Sequence, residues 1–260
     1  MKIAFFDSGV GGLSVLHHAM KILPNEEFIF FADEDHVPYG TKSKEEVLQY
    51  VDEAFQFLIS QQVAAIVVAC NTATSVAVKA MRAKYSIPII GMEPAIKRAF
   101  DLYGDKRVLA AATPITVNGD KIKILIKRLG KGNLIDLLAL PKLVEFAENL
   151  QFVSKDVEDY LSEQFAPYDL KNYSSLVLGC THFNYFKDTM RKLLPNNVKF
   201  VDGNDGTLRE LIRKLNLSLV EGKTPAQVEY FYSGRKVINK AELDKIEIYL
   251  QRLDEMYSIK

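Results

Sequence analysis

The chain is poor in cysteine: there are two in 260 residues, Cys70 and Cys180, and there is no tryptophan. Two thiols cannot build the disulfide framework of a small secreted domain. Four histidines (17, 18, 36 and 182) leave little material for a metal centre, and a Cys/Cys/His zinc set using His36 is a weak combination. Neither charge sign is in excess, with Lys+Arg and Asp+Glu both at 33, which argues against the basic footprint of a nucleic-acid binder. No apolar run approaches the roughly 18 residues of a membrane helix. Asp7 interrupts the apolar start too early for a signal peptide. A cytosolic, reducing setting with free thiols is therefore expected. No low-complexity linker divides the chain, so any halves should pack closely.

What is present is ordinary globular material, 48% hydrophobic and 25% charged, long enough for one large domain or two of usual size. Periodicity predicts short apolar strands alternating with helices. Strands are expected at 2–6, 28–31, 64–69, 87–90, 107–111, 133–138, 175–179, 198–201 and 227–232. Helices are expected at 13–23, 43–61, 73–84, 95–103, 116–129, 142–149, 153–164, 185–193, 204–215 and 239–253. Near-continuous apolar strands between helices imply mostly parallel α/β sheets covered on both faces, with ligands beyond the carboxyl ends of the strands.

A weak repeat lays Ile3–Ser8 on Val108–Thr113, and Cys70 on Cys180 at nearly the same offset. The reading is two pseudo-symmetric α/β halves facing one cleft. Residues 1–93 with the returning tail 205–260 form the first domain, and 94–204 the second.

Several segments carry polar residues where such a cleft would lie. Asp7-Ser8-Gly9-Val10-Gly11-Gly12 is either a tight strand-to-helix turn or a loop that binds a carboxylate through backbone N–H groups. It is neither a P-loop nor a dinucleotide fingerprint. Cys70-Asn71-Thr72 and Cys180-Thr181-His182 each follow an apolar strand. An ordinary thiol needs a proton acceptor to react at neutral pH. Asp7, ending a strand in the same half, can serve Cys70, although a carboxylate raises a neighbouring thiol's pKa. His182 beside Cys180 reads more economically as a proton partner than as a metal ligand. Thr113 and Thr116 flank Pro114 at a helix start, either as caps or as donors to a carboxylate. In Val37-Pro38-Tyr39-Gly40-Thr41, a turn capped by Thr41 or Ser43 is the plain reading. Glu148 alone reads as a solvated charge.

Taken together, Phe6–Val15, Val37–Lys42, Val68–Ala73 and Leu178–Phe183 resemble the glutamate racemase family, and the resemblance spans roughly residues 1–215. It implies two pseudo-symmetric α/β halves and a cofactor-independent enzyme with no metal. Such an enzyme interconverts L- and D-glutamate and supplies D-glutamate for peptidoglycan synthesis. The implied partners are that small substrate and a second copy of the chain, in a cytoplasmic homodimer with no role for nucleic acid or membrane. The resemblance also implies a site of Asp7, Ser8, Tyr39, Gly40, Cys70, Asn71, Thr72, Thr113, Thr116, Cys180, Thr181 and His182. Glu148 joins the set through its distance from Pro141. Cys70 would act on the D-enantiomer, assisted by Asp7, and Cys180 on the L-enantiomer, assisted by His182 and Glu148.

The chain departs from the family at Ala32-Asp33-Glu34-Asp35-His36, where an alanine and an arginine become Asp35 and His36. That makes the loop more negative, which is unfavourable for a dianionic substrate unless Asp35 points outward. Leu140, Asn184, Gly119 and Ile122 also depart. Alternatives are a related racemase acting on aspartate or another amino acid, and a catalytically silent ligand-binding relative.

Overall fold

Strand propensity concentrates in runs such as Phe28-Ile29-Phe30-Phe31, where aromatic and β-branched side chains favour extended backbone. In the computed structural model, which describes residues 1–92, 94–219 and 226–259, these runs become two sheets. The expected boundary at residue 93 lies outside the described residues.

The first part of the chain runs β1 (Lys2–Asp7), α1 (Leu13–Ile22), β2 (Glu27–Ala32), α2 (Lys44–Ser60), β3 (Ala65–Val68), α3 (Asn71–Val76), α4 (Val78–Lys84) and β4 (Ile89–Gly91). The second runs α5 (Ile96–Tyr103), β5 (Arg107–Ala112), α6 (Pro114–Asn118), α7 (Asp120–Leu129), β6 (Ile135–Ala139) and α8 (Lys142–Glu148). It continues through α9 (Lys155–Phe165), β7 (Tyr173–Gly179), α10 (Lys187–Leu193) and β8 (Lys199–Val201). The tail adds α11 (Asn204–Leu215), β9 (Gln227–Tyr232), β10 (Arg235–Lys236) and α12 (Lys240–Tyr257).

The strand orders are β10-β9-β2-β1-β3-β4 and β6-β5-β7-β8. Among the described strands only the β9–β10 pair is antiparallel. The order β2-β1-β3-β4 recurs as β6-β5-β7-β8, so β1 corresponds to β5 and β3 to β7. The repeat seen in the sequence is therefore a repeat of topology, and both cysteines leave equivalent central strands at their carboxyl ends. The expected α/β class with mostly parallel sheets holds.

Successive side chains of a strand face opposite ways. Ala4, Phe6, Ile29 and Phe31 pack with Val47, Val51, Phe55 and Leu58 of α2 on one side of the first sheet. Ile3, Phe5, Phe28 and Phe30 face the other way, into a cluster that runs on without a break to Leu109 and Leu176 of the second sheet and to Phe183 just after it. The halves thus share one core. Fully burying each such side chain contributes about 1.5–3 kcal/mol. α2 starts as its sequence dictates, with Ser43 and Glu46 forming a reciprocal capping box, so Ser43 rather than Thr41 is the cap.

Four expectations are corrected. The helix expected over 73–84 is two helices meeting at Ala77, and that over 116–129 begins at Pro114 and breaks at Gly119. The helix expected over 185–193 starts at Lys187, after a 3-10 segment over Thr181–Phe186. The β9–β10 hairpin was not foreseen. The tail does return to the first sheet, where β9 lies parallel to β2. No described helix is long and apolar enough to cross a membrane.

Candidate active site

β1, β3, β5 and β7 deliver their last residues to one seam. There Asp7, Ser8, Tyr39, Gly40, Cys70, Asn71, Thr72, Thr113, Cys180, Thr181 and His182, with Pro38 and Val144, line a nearly closed cavity of about 10 Å3. This is far below the roughly 300–1,000 Å3 of most small-molecule sites. Both cysteines are free and buried. The structure brings the sequence-predicted residues together, with Thr116 and Glu148 just behind the lining.

Around Cys70, the Ala73 N–H donates to Sγ at 3.3 Å, and the Ser8 hydroxyl lies 3.6 Å from it. Burial pushes the Cys70 thiol far up, and the nearby Asp7 pushes it further. Asp7 is wholly buried. Its Oδ1 accepts from the Ser8 N–H at 2.6 Å and from the Ser8 hydroxyl at 3.2 Å, and its Oδ2 accepts from the Thr181 hydroxyl at 2.9 Å. Ser8 therefore stands between Asp7 and Cys70, where the sequence pictured a direct partnership. Burial raises the Asp7 carboxyl, while His182, Thr181 and Ser8 oppose that rise.

Around Cys180, His182 Nδ1 lies 3.6 Å from Sγ, and Nε2 lies 2.5 Å from Glu148 Oε1. Oε1 also accepts from the Val10 N–H at 3.0 Å. Burial disfavours a charged His182. The hydrogen bonds to Cys180 and Glu148 outweigh it and hold the imidazole well above its ordinary value. Glu148 is thus no solvated charge.

The approach of the halves is close enough to require glycine. A Cβ on Gly9 would sit 2.0 Å from Glu148 Oε1, and one on Gly11 would sit 2.4 Å from His182 Nδ1. The glycine loop is therefore where Glu148 and His182 of the second half dock.

Thr113 occupies a cap position but makes no cap bond. Its hydroxyl instead joins Thr72 and Thr116, each at 3.0 Å. Thr72–Thr113 and Thr181–Asp7 stitch the halves from opposite sides. Asn71 Oδ1 is buried with no partner. No Lys or Arg lines this cavity among the described residues, so an anion there would meet hydroxyls and backbone N–H groups.

The altered loop turns its extra charges away or neutralises them. Asp35 is exposed and pairs with Arg235 at 2.6 and 2.8 Å. Asp33 is buried, accepting from the Tyr39 hydroxyl at 2.6 Å and the Ser233 hydroxyl at 2.8 Å, with His36 Nδ1 at 2.9 Å. His36 stacks on Tyr50 with ring centroids 3.7 Å apart. It is engaged there, and the described residues hold no His/Cys/Asp/Glu group suited to a metal. His17 and His18 face Asp254 and Asp205 on the far side of α1. Leu140 and Ile122 are buried apolar positions, and Asn184 Nδ2 donates to the Thr181 carbonyl at 3.2 Å.

Sequence reasoning missed the Val10 N–H, whose role no side-chain pattern could show. It also missed Tyr249, whose hydroxyl donates to the Ala147 and Glu148 carbonyls at 3.0 Å each.

Two thiols on equivalent strand ends, one beside Ser8 and the other beside the hydrogen-bonded His182–Glu148 pair, fit an α/β isomerase of the cofactor-independent kind. The chain belongs to the Asp/Glu/Hydantoin racemase family, whose description matches residues 14–211. It is similar to proteins named glutamate racemase. That of Campylobacter curvus is 54% identical over the whole of both chains. Among solved structures, glutamate racemase from Campylobacter jejuni covers 96% of this chain and 98% of its own, with a TM-score of 0.82 and 26% identity. The Escherichia coli enzyme, in complex with L-glutamate and the activator UDP-MurNAc-Ala, covers 98% and 94%, with a TM-score of 0.80 and 29% identity.

Proposed function

We propose that this chain is a cytoplasmic glutamate racemase. It interconverts L- and D-glutamate by proton transfer at Cα between Cys70 and Cys180, supplying D-glutamate for peptidoglycan synthesis. The observation that carries this reading is the placement of two unpaired thiols on pseudo-equivalent strand ends around one small cavity, each with a separate proton partner. Full-length similarity to glutamate racemases supports the substrate.

Inverting a stereocentre requires removing the Cα proton from one face and returning one to the other. A single base would have to move between the two steps. Cys180, linked to His182 and Glu148, takes the proton of L-glutamate while Cys70 delivers one from the opposite side. D-glutamate runs the same path backwards, with Ser8 and Asp7 serving Cys70. The resting Cys70 thiol is far from ionised, and the substrate's ammonium, entering between the thiols, favours thiolate. The unpartnered Asn71 Oδ1 is an acceptor suited to that ammonium. Ser8, Thr72, Thr113 and Thr181, with Thr116 behind Thr113, offer neutral donors to the carboxylates and to charge developing at Cα. Tyr39 and Gly40 close the wall.

The small cavity calls for the halves to part for entry and close for reaction. The moving units of the proposal are 1–93 with 205–260, and 94–204. A homodimer is part of the same reading, and sedimentation will report it.

Pure protein incubated with L-glutamate in D2O, without pyridoxal phosphate, is expected to give D-glutamate carrying deuterium at Cα. No exchange from either enantiomer would end this reading, and faster exchange of aspartate would redirect the substrate. Cys70→Ala and Cys180→Ala should each abolish turnover. Full activity in either would refute the two-thiol scheme.

A further inference from the structure

Glu34 is a half-buried acid that the mechanism above does not use. It follows β2 in the same loop as Asp33 and Asp35, yet unlike theirs its carboxyl shows no hydrogen bond or ion pair among the described residues. Its Oε1 is closed to solvent and accepts no hydrogen bond. Asp33 is held by Tyr39, His36 and Ser233, and Asp35 by Arg235. Glu34 lines a second cavity, of about 300 Å3, whose wall also includes Glu148. The hydrogen-bonded Glu148–His182 pair therefore links the two cavities, His182 lining the catalytic one and Glu148 this one.

The charges facing Glu34 come from four elements. α8 contributes Glu148, and the β9–β10 hairpin contributes Tyr232, Arg235 and Lys236. α12 contributes Glu242, Lys245 and Tyr249. Its own loop adds Asp33, while Asp7 and His182 act from the seam. The hairpin cations are already engaged, Arg235 with Asp35 and Lys236 with Glu229. Glu148 has a cation partner in His182 and a backbone donor in Val10. When two carboxyls share one region, the one without partners keeps its proton.

We propose that Glu34 is a positioning residue of the reaction: facing Glu148 across the shared cavity, it sets how firmly the Glu148–His182 pair holds its proton. This rests on the acid–base roles given above. Burial first, and then the neighbouring Glu148, push the Glu34 carboxyl up to about 8. Below that pH Glu34 is neutral, and the His182 proton is held only by Glu148 and Cys180. Above it, a second negative charge stands behind Glu148. His182 then binds its proton more tightly and shares it less readily with Cys180, so turnover falls.

Enantiomers have equal free energy, so kcat/KM must be the same in both directions at any pH. A single pH series therefore suffices. In the Glu34→Gln variant the side chain keeps its shape and cannot ionise. The ratio of kcat/KM, E34Q over wild type, normalised at pH 7, is expected to rise about tenfold by pH 9, the slope of one ionisation. Taking the ratio cancels the titration of the substrate's own amine. A ratio that stays flat with pH, whatever its absolute value, overturns the proposal, because a merely structural role lowers the rate equally throughout.

A second reading does not depend on racemisation. The 13C-labelled His182 imidazole, assigned by its loss in His182→Asn, should shift near pH 8 in wild type and not in E34Q. Identical titrations in the two proteins would overturn the proposal even if the enzyme acts on another substrate.

Discussion

Gly9 and Gly11 show how little room the site leaves at the scale of a residue. Neither is required by backbone conformation; each is required because a side chain of the other half occupies the space of its Cβ. Gly11→Ala should keep the fold by circular dichroism and lose about a hundredfold in kcat/KM, as expected when a proton partner moves by about 1 Å. Wild-type rates would show that His182 has space to give. Glu34 carries a stability signature of the opposite kind. Its carboxyl is raised in the folded state above the usual 4.5, so its stabilising contribution is complete below about pH 4.5 and lost as pH rises to about 8. Thermal melts of wild type against E34Q should diverge across that window. Cys70, Cys180 and Asp7 were legible in sequence because strand-end position and the repeat pointed at them. The Glu34–Glu148 pairing was not, since acids 114 positions apart share no pattern.

Among elements, α12 is the one whose importance the sequence hid. It reads as an amphipathic tail helix, and its placement depends on contacts made across the molecule. Tyr249 holds the carbonyls at the end of α8, where Glu148 stands. Arg252 donates to the Tyr185 carbonyl at 3.0 Å and pairs with Asp188 at 2.6 Å, behind the segment that bears His182. The C-terminal helix thereby braces both the end of α8, which carries Glu148, and the segment that carries His182. Tyr249→Phe removes only the hydroxyl. It should cost about 1 kcal/mol of stability for the lost hydrogen bonding and lower kcat/KM several-fold through a looser Glu148. An unchanged rate with reduced stability would confine the hydroxyl to a structural part. The breaks at Ala77 and Gly119 were also missed, because both flanking segments keep helical spacing and only the turn of the chain at the seam separates them.

For the whole molecule, the order of β2-β1-β3-β4 repeated as β6-β5-β7-β8 means that one plan was read twice, and the offset between Ile3 and Val108 had already shown it. What the sequence could not show is how tightly the halves meet. Cys70 and Cys180 are only 5% and 6% exposed. Alkylation of both thiols in the native protein should be at least about tenfold slower than in denaturant, since access limits a thiol's reactivity. Glutamate should slow it further by holding the seam shut. Labelling that is as fast in the native state, or accelerated by glutamate, would mean that the halves stand open at rest.

The burial of the two thiols on opposite walls gives the molecule a memory of its last turnover. On the proposed roles, converting one L-glutamate leaves the proton inventory inverted: Cys180 holds the proton taken from Cα, and the proton of Cys70 has left on the product. In that condition the protein is ready for the D-enantiomer and not for another L. It resets either by consuming a molecule of product or by passing a proton between the walls, and a seam this closed slows the second route. On those roles, each turnover leaves the protein in one of two proton arrangements, each suited to one hand of the substrate.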